Sequence, residues 1–472
     1  MSLMLCLTLF NYNALRSFKD SLVVPNIGAE SISFIKFFCV VPAAIIFVII
    51  YAKMTNIWNF RRIYMTIASF FICFFLLFGY VLYPNAATIH PDMDVIHQCI
   101  DQEVSFGWFS LQMVHFKWFF LVYGKWLFAA FYMVAELWTT MSTLMFWQFA
   151  NQVIKTSEAK RFYPMFALLG SFGTFSAGGA IKGTALLQAC FAQDTIFLVQ
   201  VMMTIMTVIV IGIMSIFEYV NRHVITDEKY LRHIQSKRPE KKTPLLESLK
   251  IIMSSRYLGY IAVLVLCYGM SINLLEGPWK ATVRELYATT DEYMYFMAGV
   301  NQWTGGVSML FILIGTSILK RYGWFPAAII TPITFFVTGI IFFIFVVFDE
   351  VAKIYLSSFL FFDPLIIAVY FGMLQNVLSK STKYALFDPT KEMTYIPIDD
   401  ELKSKGKAAV DVVAARFAKS GAAFFQSLIF IIFPSATYLT ISSLLMVMFV
   451  VIVVIWIIDV KALSKEYTKQ IT

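Results

Sequence analysis

Long apolar runs broken by short polar stretches set the pattern of this chain. Twelve of them approach the roughly 20 mostly apolar residues that a helix needs to cross a bilayer. They lie near 2–24, 33–53, 63–83, 118–150, 159–183, 195–219, 256–277, 292–319, 325–348, 354–378, 407–434 and 439–460. The pattern predicts an all-α polytopic membrane protein with twelve transmembrane helices in two six-helix, pseudo-symmetric halves. The halves are expected at 1–219 and 256–472, joined by a basic linker at 220–255. Residues 45–83 lie over 309–348 almost without a gap, and Cys6 and Lys19 fall over Cys267 and Lys280. A repeat of matched topology places two bundles around a central path. The fourth stretch is long enough to tilt or to extend beyond the bilayer.

Composition narrows the class further. Hydrophobic residues make up 59% of the 472 positions and charged residues only 14%, against about 25% in a soluble domain. A water-facing shell cannot be built from so few polar groups, which excludes a soluble enzyme, a disordered chain and a disulfide-knotted scaffold. The six cysteines are scattered without a CxxC spacing, so no zinc or redox centre is expected. Cys99 and Cys190 fall on one side of the expected membrane. A disulfide between them and two free thiols are both open readings. GxxxxGK[ST], HExxH and GxSxG are absent, and all five histidines fall in loops or at their edges. No metal, no cofactor and no enzymatic chemistry are therefore expected. The first apolar stretch lacks the basic n-region and small-x-small exit of a cleavable signal.

The net charge of +8 changes the picture once it is placed. With both termini on one side, the loops on that side hold 26 of the 37 Lys and Arg, and the opposite loops hold five. The positive-inside rule then makes both termini and the central loop cytoplasmic. Most of the positive charge thus sets topology and gives no sign of nucleic acid binding.

Six basic residues fall inside predicted spans: Arg16, Lys19, Lys36, Lys125, Arg416 and Lys419. A charge at the bilayer centre costs about 2.5–3.5 kcal/mol on insertion scales, so such residues face a watery path or a counter-charge. Arg16 and Lys19 are three apart and share a helix face, as do Arg416 and Lys419. Lys419 stands roughly 18 Å along its helix from Lys407, near mid-membrane. Lys36 either lines the path or snorkels to the interface. Glu136 sits in the middle of the fourth span, where a lone carboxylate would be protonated or paired. Glu276 precedes Gly277, Pro278 and Lys280, and Pro278 is expected to end or break its helix. Several cations with few acids in a central cavity suit a multiply charged anion, with phosphate chains foremost.

The strings LRSFKD (15–20), GAESISFIKFF (28–38), AELWTT (135–140), EAKRFYPMF (158–166), INLLEGPWK (272–280), KYALFDPTKEMTYIPID (383–399) and KSGAA (419–423) resemble the ATP:ADP antiporter family of plastids and obligate intracellular bacteria. The resemblance covers nearly the whole chain. It implies a major-facilitator-like fold and exchange of host ATP for bacterial ADP across the bacterial cell inner membrane. The expected partners are nucleotides and the lipid bilayer, with the carrier acting as a monomer. It implies roles for Lys19, Glu136, Glu276 and, from the KSG string, Lys419, and with them Arg16, Arg416, Lys36 and Lys280 form the expected substrate-binding set. KSGAA stands where KSGGA is expected, and Pro278 replaces a less disruptive residue. Relatives within this family carry GTP/GDP, CTP or UTP, some with protons, and no motif here separates them. A proton-coupled carrier of another metabolite and a membrane enzyme acting on lipid-linked phosphates are the rival readings.

Overall fold

The computed structural model describes residues 1–105, 108, 110–154, 156–224, 255–348, 363–398, 410 and 414–471. Among the described residues, eight helices are long and apolar enough to cross a membrane. The helices that carry the argument are α1 (Ser2–Val23), α2 (Val41–Ile57), α3 (Phe60–Leu77), α4 (Lys117–Gly124), α5 (Trp126–Val153), α6 (Thr156–Cys190) and α7 (Thr195–Tyr219). They continue with α8 (Arg256–Leu286), α9 (Thr290–Tyr322), α10 (Trp324–Val347), α11 (Pro364–Thr382), α12 (Asp388–Thr394), α13 (Ala415–Ile432) and α14 (Ser442–Ile471). Helices dominate because lipid offers backbone groups no partner other than their own chain. Side-chain hydroxyls follow the same logic: Thr8 donates to the Met4 carbonyl at 2.7 Å and Ser427 to that of Ala423 at 2.9 Å.

The chain divides into two compact units, Met1–Pro239 with Tyr287–Gly306, and Glu240–Leu286 with Val307–Thr472. In the first, α1 packs against α5, α6 and α7. Gly173 of α6 meets α1 so closely that a Cβ there would lie 2.1 Å from the Cys6 carbonyl oxygen. Backbone cannot yield as a side chain does, so Gly173→Ala is expected to destabilise the unit by about 1–3 kcal/mol. A fall in the detergent-solubilised thermal midpoint checks this. Tyr64 stacks on Phe217 with centroids 4.0 Å apart, and Arg61 pairs with Glu218 at the same end of α3 and α7. In the second unit α8 packs on α11, α13 and α14, around a cluster of Tyr268, Phe335, Phe387 and Trp456.

Three expectations change. The fourth stretch is two helices, because Lys125 at φ −123°, ψ 39° separates α4 from α5. Lys125 therefore stands at a helix break beside the segment 84–117, not within a span. The fifth helix runs to Cys190, seven residues beyond the expected end. Pro278 does not break α8, which continues to Leu286. One missing donor is outweighed by the helical bonds on either side, since no water competes for them in an apolar surround. Lys407 and Asp411, expected on the eleventh span, lie outside the described residues. All six cysteines are unpaired, and Cys73 and Cys190 are the exposed ones.

The segment 84–117 forms short helices at Ala86–Ile89 and Met93–Ile100 and an antiparallel strand pair, β1 (Glu103–Ser105) and β2 (Ser110–Gln112). His90 packs edge-on against Phe128, and burial, followed by the nearby Lys125 ammonium, pushes its imidazole down to about 4. A depressed histidine contributes stability that is full above its unfolded value near 6.5 and is lost as pH falls toward 4. Acidification from pH 7 to 5 should therefore lower the thermal midpoint of the native chain more than that of His90→Gln.

Candidate functional site

Each unit holds a buried ion pair, and each pair joins a predicted residue to a different helix. In the first, α1 brings Arg16, Lys19 and Asp20 into the interior. Lys19 is 3% exposed and Asp20 fully buried, while Arg16 is half-buried. The Lys19 ammonium donates to Glu136 Oε2 at 2.5 Å and sits 3.6 Å from the centre of the Tyr132 ring. Tyr132 and Glu136 are four apart on α5, so they stack on one face and hold the ammonium between a π-face and a carboxylate. The Glu136 side chain is 27% exposed against 4% for Lys19. The acid is thus the more exposed of the two, while the base is enclosed.

Polar groups position α1 around this pair. Trp138 donates to Asn11 Oδ1 at 2.7 Å, and Asn11 in turn reaches the Met206 carbonyl at 3.2 Å. Asn301 donates to the Asn13 carbonyl at 3.2 Å and to Ser17 Oγ at 2.9 Å, bracketing the turn that carries Arg16. Asn13 also bonds Thr174 Oγ1 at 3.0 Å. A buried hydrogen-bond network of this kind specifies one rotation of the helix. None of Asn11, Asn13, Ser17 or Asn301 was singled out by the sequence, because neutral polar residues carry no insertion cost large enough to mark them.

In the second unit, Glu276 and Lys280 lie one turn apart on α8 and are both buried. Trp279, between them, donates to the Val369 carbonyl at 3.0 Å and locks the face toward α11. Glu276 Oε1 is 3.6 Å from the Lys380 ammonium on α11. One turn on, Lys383 bonds Asp388 Oδ2 at 2.8 Å and lies near the Tyr268 and Tyr384 rings. Lys380 and Lys383 were missed as site residues because the tenth span was expected to end at 378. The helix runs to Thr382 and continues as a π-turn, Lys383–Phe387, into α12. A charge at the predicted edge of an apolar run is easily counted as loop.

Arg416 and Lys419 are placed on α13, and their side chains lie outside those described. Lys36 is half-buried in a π-helical turn, Ile35–Val40, that packs against α5. Lys182 lies within α6, half-buried and 5.4 Å from the Tyr295 ring. The geometry thus joins Lys19 to Glu136 and sets Lys380 opposite Glu276. No group of three or more His, Cys, Asp or Glu able to hold a metal occurs among the described residues.

The family described as TLC ATP/ADP transporter matches residues 1–467. ADP,ATP carrier protein 3 of Rickettsia bellii is 43% identical over 99% of this chain and 94% of its own length. ADP,ATP carrier protein 1 of Rickettsia prowazekii is 43% identical over 98% of this chain and 92% of its own. Among solved structures, the nucleoside transporter NupG aligns with a TM-score of 0.53 at 11% identity, covering 98% of this chain and 99% of its own. A bacterial homologue of the iron transporter ferroportin in an inward-facing state aligns at 0.54, with 12% identity and 97% of both chains. At such identities the likeness is one of fold, and that fold is the major-facilitator-like one expected from the sequence.

Proposed function

The chain belongs to the TLC ATP/ADP transporter family, and from that premise we propose that it exchanges ATP for ADP by alternating access. The observation that carries the reading is the pair of Lys19 and Glu136. An enclosed ammonium paired with a more exposed carboxylate is poised for ligand exchange. A phosphate entering from the open side takes the place of Glu136 on Lys19, trading one charge-assisted bond for another at little electrostatic cost. Glu276 and Lys380 give the second unit a comparable pair, with Lys280, Arg16, Lys36, Arg416 and Lys419 as further cations for the phosphate chain. In the empty carrier the acids hold the cations, which opposes reorientation without substrate and favours strict exchange.

The two halves, 1–219 and 256–472, rock about the linker at 220–255 in this reading, in a monomer with both termini cytoplasmic in a bacterial inner membrane. The 42–43% identity to bacterial ADP,ATP carriers supports that setting. ATP carries about one more negative charge than ADP, so an imposed potential of 100 mV should bias the exchange by about 2.3 kcal/mol.

The test is counterflow in proteoliposomes. Labelled ATP uptake should require internal ADP and be suppressed by external ATP and ADP well before GTP, CTP or UTP. Equal suppression by all bases would replace adenine selectivity with general nucleotide exchange. Uptake driven by a pH gradient into empty vesicles would replace exchange with proton-coupled import.

A further inference from the structure

Away from both ion pairs, the second unit carries a basic groove that nucleotide exchange does not use. It lies between the first turn of α8 and the last turns of α14 and has a volume of about 730 Å³. Arg256, Lys461, Lys465 and Lys469 line it, and Glu466 is the acid among its walls. Glu466 is already engaged by Lys469 at 2.9 Å, so the groove is strongly positive. Arg256 Nε donates to the Tyr260 hydroxyl at 3.0 Å, which turns the guanidinium along the groove wall. Lys461, Lys465 and Lys469 are each exposed and follow one another at four-residue intervals, on one face of α14.

The same face continues in the other direction with a different chemistry. Val447, Val451, Val454 and Ile458 are all exposed. They precede Lys461 at alternating intervals of four and three, so the stripe is continuous along the helix. Its first three turns are apolar and its last two are basic. Tyr260 stands at the junction, where an amphipathic ring favours the level of lipid headgroups. A soluble anion would use the cations and leave the apolar stripe idle. An amphiphile uses both.

We propose that this groove binds the headgroup of an anionic phospholipid, with its phosphate on Arg256, Lys461 and Lys465 and an acyl chain along Val447–Ile458. The volume is ample for a glycerophosphate headgroup and falls in the range of small-molecule sites. Basic pockets between membrane helices are recognised hosts for such lipids.

Native mass spectrometry of the full chain in neutral detergent tests this, with phosphatidylglycerol, phosphatidylcholine and inorganic phosphate as probes. Phosphatidylglycerol should be retained at least tenfold more than phosphatidylcholine. The triple variant Lys461→Gln, Lys465→Gln, Lys469→Gln should lose that preference, and Arg256→Gln on the opposite wall should lose part of it. Thermal midpoints measured without lipid should be unchanged in both variants, which separates lost binding from lost folding. Equal retention of the two lipids, or a preference that survives in both variants, overturns the proposal. Displacement of the lipid by inorganic phosphate at equal concentration also overturns it, in favour of a soluble anion. Because binding is read by mass, the outcome does not depend on what the carrier transports.

Discussion

Lys19→Ala should lower the exchange of labelled ATP in proteoliposomes at least 100-fold. The substitution removes the ammonium held between Tyr132 and Glu136. It leaves a carboxylate facing the place where phosphate would enter, so attraction becomes repulsion. A hydrogen bond to a charged group is worth about 1.5–3 kcal/mol, and each 1.4 kcal/mol is tenfold in rate or affinity. One lost bond with one uncovered like charge therefore reaches the stated fall. Lys19→Arg keeps the charge but places a planar fork where a compact ammonium fits, and intermediate activity is expected. Glu136→Gln should behave differently: nucleotide still binds, while the empty carrier loses its internal counter-ion. That variant should leak, with labelled nucleotide leaving vesicles that have none outside. Exchange within threefold of the native chain in Lys19→Ala, at matched protein density, would remove Lys19 from the site.

Lys380→Ala carries the second large effect. Truncating one partner of a buried pair costs roughly 3–5 kcal/mol, because the other charge remains without compensation. Here the cost is smaller, since 3.6 Å is too long for a direct hydrogen bond. A fall in thermal midpoint and a 10- to 100-fold fall in exchange are expected together. The double variant Lys380→Ala, Glu276→Ala separates the two roles. Removing both charges should restore much of the stability, since a pair can be replaced by neutral groups at little cost. Exchange should not return, because the cation is still missing. Recovery of both would make the pair purely structural.

Charge economy made some of this legible before the structure. Lys19, Glu136 and Glu276 stood out because lipid penalises them, and that penalty depends only on their position in an apolar run. Their pairing was not legible. Lys19 and Glu136 are 117 residues apart, and no local rule links such positions. Lys380 was lost to an edge error of four residues, because hydropathy fades gradually while a helix ends at one residue. Pro278 failed for another reason: the rule that proline breaks helices is calibrated against water, and α8 is buried along the face that carries Glu276, Trp279 and Lys280. The network of Asn11, Asn13, Ser17 and Asn301 was invisible, since its value lies entirely in partners brought together by packing.

The cysteines hold a built-in reporter. Cys73 is exposed in the last turns of α3, within an apolar span whose outer face lipid would cover against a polar reagent. Cys190 is exposed at the last residue of α6, just before Ala192 takes a positive φ of 47° and turns the chain. A maleimide that cannot cross a bilayer should therefore tag the native protein at Cys190 from one side of an intact cell only. The side on which the tag appears fixes the direction in which α6 runs, without a single engineered residue.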